Sequence, residues 1–186
     1  MRTTLVIAVL GLIPIGCDDA PSSGAGAEPA AAEAEPEAGG IGAFTEYQRK
    51  SMAAEAKVNV AGLVAAVRIA YEQESVDPET LQVVTHRLPS SAPMTPPAGS
   101  CCKQPEGTCQ PDPSQWEHPA WQELLFAPAD PIRFSYEVIR EGETVTIKAV
   151  ADLDCDGKLS SYQSTGKVVD GELSFPAELE INDPLE

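Results

Sequence analysis

"FTEYQRKSMAAEAKVNVAGLVAAVRIAYEQE" (residues 44–74) decides the fold. Ala56, Val60, Leu63, Val67, Ala70 and Tyr71 recur at i, i+3/i+4, the spacing of one buried helix face. A second stripe runs beside it through Phe44, Tyr47, Ala54, Val58 and Ala61. Arg49, Lys50, Glu55, Lys57, Asn59 and Arg68 form the polar face. The helix is expected to run from Phe44 to about Glu74, where "SVDPET" starts a new turn.

Downstream the period changes. In "IRFSYEVIR" (132–140), Ile132, Phe134, Tyr136 and Val138 alternate with polar residues. In "TVTIKAVADL" (144–153), Val145, Ile147 and Ala149 do the same, and "EGE" joins the two runs into a β-hairpin. "SSYQSTGKV" (160–168) offers a third strand and "GELSFP" (171–176) a fourth. Between helix and hairpin, "LQVVTHRL" (81–88) fits either a short strand or an irregular run. Residues 89–116 form a long Pro-rich loop, and "WEHPAWQELLF" (116–126) reads as a short helical segment holding two Trp against the core. A long helix, a loop and a meander make an α+β domain: one helix packed on a 3–4-stranded antiparallel sheet.

Upstream of Phe44 the composition is different. "DDAPSSGAGAEPAAAEAEPEAGGIGA" (18–43) is acidic, of low complexity and free of aromatics, so it cannot bury enough surface to offset chain entropy. Before it, Arg2 and the apolar run "LVIAVLGLIPI" (5–15) have the length of a signal-peptide core, about a dozen residues rather than the roughly 20 of a spanning helix. Gly16-Cys17 after that run resembles a bacterial lipobox, with Pro14 where that pattern usually has Leu. The resemblance implies cleavage before Cys17 and a lipid on its thiol, and the following Asp18 is similar to an inner-membrane retention signal of enteric bacteria. The organisation expected is a signal peptide (1–16), a lipidated Cys17 with its tether (17–43) and one globular domain (44–186) on the periplasmic or outer side of a membrane.

The formal net charge of −17 offers no basic stripe for nucleic acid and opposes contact with anionic headgroups. In an oxidising compartment, Cys101, Cys102, Cys109 and Cys155 read as two disulfides. A bond between the adjacent Cys101 and Cys102 would strain the peptide, so Cys109 is expected to pair with one of them and Cys155 with the other. Zinc would need paired CxxC motifs or a His partner for His118, and neither is present.

The helix carries a family resemblance. "F-x-x-YQ-x-x-S-x-x-x-EAK-x-N" (44–59) resembles the second half of the N-terminal helix of type IV pilins, particularly those of myxobacteria and related bacteria. "W-x-x-P-x-W-x-x-L-x-F-x-P-x-x-P-x-x-x-SYE" (116–137) and "A-x-A-DLD-x-DG-x-L-S" (149–160) are similar to the headgroup of the same proteins. The resemblance spans residues 44–186 and implies a pilin-like headgroup. A pilin also has a Gly-Phe processing site followed by an apolar half-helix. "GAFTE" (42–46) echoes the site but leads into a polar helix, so the apolar half looks replaced by a lipid and a tether.

One stretch has metal-ligand spacing. In "DLDCDGKLSSYQ" (152–163), Asp152, Asp154, Asp156 and Gly157 stand at positions 1, 3, 5 and 6 of an EF-hand-like calcium loop. Lys158 would offer its carbonyl at position 7 and Ser160 its hydroxyl at 9, while Gln163 replaces the bidentate Glu. Calcium, if taken, would bind weakly, at about 10⁻⁴–10⁻³ M. His86 and His118 lie apart beside Pro-rich loops, and neither a GxSxG motif nor a phosphate-cradling Gly loop is present. The function expected is non-enzymatic: an envelope lipoprotein that binds or organises pilus or other envelope components. The alternative is a calcium-dependent binding or adhesion module.

Overall fold

The computed structural model describes residues 39–76 and 79–186. The expected signal peptide, Cys17 and most of the tether lie outside them. Helix α1 runs Gly39–Glu72. It starts five residues before Phe44, so residues 39–43, expected in the tether, belong to the helix, and it stops at Glu72 instead of Glu74. A two-stranded ribbon follows, β1 (Ser75–Val76) against β2 (Val83–Val84). Then come β3 (Ala92–Thr95), a series of 3-10 turns and the short helix α2 (Pro119–Glu123). Strands β4 (Ser135–Glu141), β5 (Thr144–Ala151), β6 (Ser160–Val169), β7 (Glu172–Ser174) and β8 (Glu180–Asn182) complete the chain.

The fold is α+β, with α1 laid on an antiparallel sheet in the order β3-β4-β5-β6-β7 and β8 also paired to β6. With six strands the sheet is larger than the 3–4 expected. Strand β3 comes out of the Pro-rich loop, where Pro93 hides it; a proline lacks the ladder N–H and is tolerated only at an edge, which is where β3 lies. Strand β8 is too short to reveal a period, and all its residues are exposed.

Register explains the core. Tyr136, Ala149 and Tyr162 stand side by side across β4, β5 and β6, and Val138, Ile147 and Ser164 form the next row. All six are buried. Against β5 and β6, α1 lays Ala56, Val60, Leu63, Val67 and Tyr71, each at 0–1% exposure. Over the β4 side, Trp116, Trp121, Phe126 and Tyr136 pack edge-on or tilted, with centroids 5.2–6.5 Å apart. The Trp121 indole N–H donates to Thr95 Oγ1 on β3 at 3.0 Å, which satisfies the one polar atom this large side chain buries. The second stripe of α1 is not part of this core: Phe44, Tyr47 and Val58 are 61%, 71% and 69% exposed.

Candidate functional site

The Asp loop follows β5 and turns sharply. Asp152 accepts from the backbone N–H groups of Asp156 (3.1 Å) and Gly157 (3.0 Å). Cys155 and Gly157 take positive φ, +65° and +95°, so the loop needs residues that enter the left-handed region. One oxygen from each of Asp152, Asp154 and Asp156 lies within 4.8 Å of the others.

The loop is tied to remote parts of the chain. Arg49 of α1 pairs with Asp154 at 3.1 Å and donates to the Leu185 carbonyl at 3.2 Å. Lys158 pairs with Asp156 at 3.1 Å and with Glu186 at 3.6 Å. Leu153 N–H donates to the Glu186 carbonyl at 2.9 Å, so the C-terminal segment is clasped to the loop. The backbone and ammonium hydrogen bonds from Lys158 hold the Asp156 carboxyl below its usual range, and Asp156 in turn raises Lys158.

This arrangement tests the calcium ligand set residue by residue. The three Asp carboxylates converge, but Arg49 and Lys158 already place cations on two of them. Ser160, the expected ligand at position 9, is buried on β6 and its hydroxyl donates to the Ala151 carbonyl at 3.1 Å. Ser160 is the first residue of β6, and its hydroxyl is used within the sheet rather than turned to the loop. Gln163 is also on β6, and its amide donates to Glu180. The residues present therefore fit a loop closed by the protein's own cations better than a calcium cage.

The cysteines are paired Cys101–Cys109 and Cys102–Cys155, with Cα atoms 4.7 and 5.7 Å apart. The first staples the turn series after β3, with Cys101 buried. The second joins that turn series to the exposed Asp loop. A cleft of about 660 Å³ opens beside the first staple, lined by Met94, Pro96, Gln104, Gln110, Asp112 and Gln115. Asp112 caps the following turn by accepting from Ser114 and Gln115, which lowers its carboxyl.

Both histidines have structural partners. His118 caps α2 by accepting from Ala120 N–H at 3.3 Å. His86 lies 3.5 Å from Glu72 and packs edge-on to Tyr71.

A network not expected from the sequence sits at the helix flank. Glu55 Oε1 accepts from the N–H groups of Arg133 (3.0 Å) and Phe134 (3.1 Å) and from the Tyr136 hydroxyl (3.0 Å). Asn59 donates to the same hydroxyl at 2.6 Å. Glu55 and Asn59, assigned above to the polar face, thus pin α1 to the start of β4. Desolvation raises Glu55, outweighing the hydrogen bonds, and raises Tyr136 strongly. The signal available was their i, i+4 spacing directly beside the buried stripe.

No family model, curated protein or solved structure matches the chain. Among the described residues, no helix is long and apolar enough to cross a membrane.

Proposed function

We propose that the protein is a non-enzymatic lipoprotein of the cell envelope, anchored through a lipid on Cys17, whose pilin-like headgroup binds or organises pilus or other envelope components. The observation that carries this reading is the reach of α1. Its first buried side chain is Ala53, about 20 Å along the axis from Gly39 at 1.5 Å per residue. Before that point Ile41, Phe44 and Tyr47 are exposed. The helix therefore runs on beyond its buried face, where Arg49 ties it to Asp154 and Leu185, and its front is the part joined to the tether.

The family resemblance supports the same reading, since a pilin headgroup is a spine helix covering an antiparallel meander. The net charge of −17 favours protein partners over nucleic acid or anionic lipid. Replacing Cys17 tests the anchor: Cys17→Ser should move the protein from the membrane pellet to the soluble periplasmic fraction. A variant that stays in the pellet as the wild type does rules Cys17 out as the anchor.

The alternative, a calcium-dependent binding module, would rest on the Asp loop, two of whose three carboxylates are already paired with Arg49 and Lys158. Chelation separates the two. A module that needs calcium loses its partner in EDTA, whereas an organiser closed by Arg49 and Lys158 keeps it.

A further inference from the structure

The two disulfides have unlike surroundings. Around Cys101–Cys109 the fold fixes both partners. Cys101 is buried, and Cys109 exchanges backbone hydrogen bonds with Ile132 at 2.8 and 3.0 Å. If that link opens, its sulfurs stay side by side and re-close. The partners of the second link are held less firmly. Cys102 is half-buried, but Cys155 is exposed in the Asp loop, between carboxylates that converge within 4.8 Å. Its backbone stands at φ +65°, a region costly for a residue with a Cβ. Once the second link opens, Cys155 can leave that region and the like charges can separate.

The opening has a natural extent. Residues 154–159 are all exposed, whereas Leu153 before them is half-buried and Ser160 after them is buried at the start of β6. Apart from the disulfide, the turn is held by surface hydrogen bonds and by ion pairs: Asp154 with Arg49 of α1, Lys158 with Asp156 and Glu186. Exposed pairs of this kind hold little singly in water. We propose that Cys102–Cys155 is a redox latch: a dithiol opens it while Cys101–Cys109 stays closed, and the 154–159 turn then lets go of Arg49 and Glu186 with the sheet intact.

The exchange balances. One thiolate of the dithiol attacks the Cys155 sulfur, forming a mixed disulfide and expelling the Cys102 thiolate. The reductant's second thiol closes on its own bound sulfur and releases Cys155. Two electrons pass to the protein, the two thiol protons end on Cys102 and Cys155, and the reductant leaves as a disulfide. The latch does not depend on how the chain is anchored or on what it binds.

Thiol labelling and limited proteolysis test it together. The full chain with Cys17→Ser retains only these four cysteines. Under limiting dithiothreitol, Cys102 and Cys155 should take up iodoacetamide about ten times faster than Cys101 and Cys109. Trypsin should then cut after Lys158 several times faster than in the oxidised chain, because the backbone there opens locally. Cutting after Lys148, in the middle of β5, should not change. A chain carrying both Cys102→Ser and Cys155→Ser should be cut after Lys158 at the fast rate with or without dithiothreitol. Equal labelling of all four cysteines, cutting after Lys158 that ignores reduction, or cutting after Lys148 that rises in step with it would overturn the proposal.

Discussion

Replacing Glu55 by alanine removes an acceptor shared by three donors, the N–H groups of Arg133 and Phe134 and the Tyr136 hydroxyl. Phe134 and Tyr136 are fully buried, so their donors would find no replacement, and each unsatisfied buried donor costs about 1–3 kcal/mol. Arg133 is half-buried, so water can take its N–H. Relief of the carboxylate's own desolvation offsets part of the loss. The expected net cost is about 2–4 kcal/mol, or a Tm lower by roughly 5–15 °C for a domain of this size. Glu55→Gln keeps an oxygen where all three donors converge and should cost less than about 1.5 kcal/mol. Burial raises the Glu55 carboxyl above its ordinary 4.5, so the folded state holds this proton to higher pH than the unfolded chain does. The resulting stabilisation is fully present below the unfolded value and is lost as pH rises through the folded one. Wild-type stability minus that of Glu55→Gln should therefore fall over that interval in urea unfolding curves. A Glu55→Ala variant within about 0.5 kcal/mol of wild type would refute the pin, and a flat pH difference would refute the dominance of desolvation over the hydrogen bonds at Glu55.

Leu63→Ala, at a site 0% exposed beneath α1, should cost about 2–5 kcal/mol in chemical denaturation. Val58→Ala, on the exposed strip, should cost less than about 0.5. Cys102→Ser with Cys155→Ser opens a 53-residue separation and should cost about 2–4 kcal/mol, while non-reducing peptide maps still recover the Cys101–Cys109 link. Calcium at about 1 mM should leave the Tm unchanged; a site with a Kd of 10⁻⁴ M would raise stability by about 1.4 kcal/mol and be seen in the same scan.

The buried face of α1 and the β4–β5 hairpin were legible because each repeats its period several times. Ala56 to Tyr71 mark one helix face, and Tyr136 to Ala149 one sheet face. Strand β3 was not legible because Pro93 interrupts it, nor was β8, whose three residues bury nothing. Periodicity also misplaced Glu55 and Asn59. It reports which face is apolar, but not that the start of β4 arrives beside that face bearing donors. At the Asp loop the spacing of the carboxylates could be read directly. Their cations could not, since Arg49 lies on the distant α1 and the clasp includes the C-terminal Glu186. Adjacency limited the cysteine pairings, but only the fold assigns Cys109 to Cys101 and Cys155 to Cys102.

Affinity capture of the full chain from detergent-solubilised envelopes, with and without EDTA, bears most directly on the proposed role as an envelope organiser. Pilus or other envelope assembly proteins should co-purify and remain bound in EDTA. A chain recovered alone, or one whose partner leaves on chelation, would contradict that role.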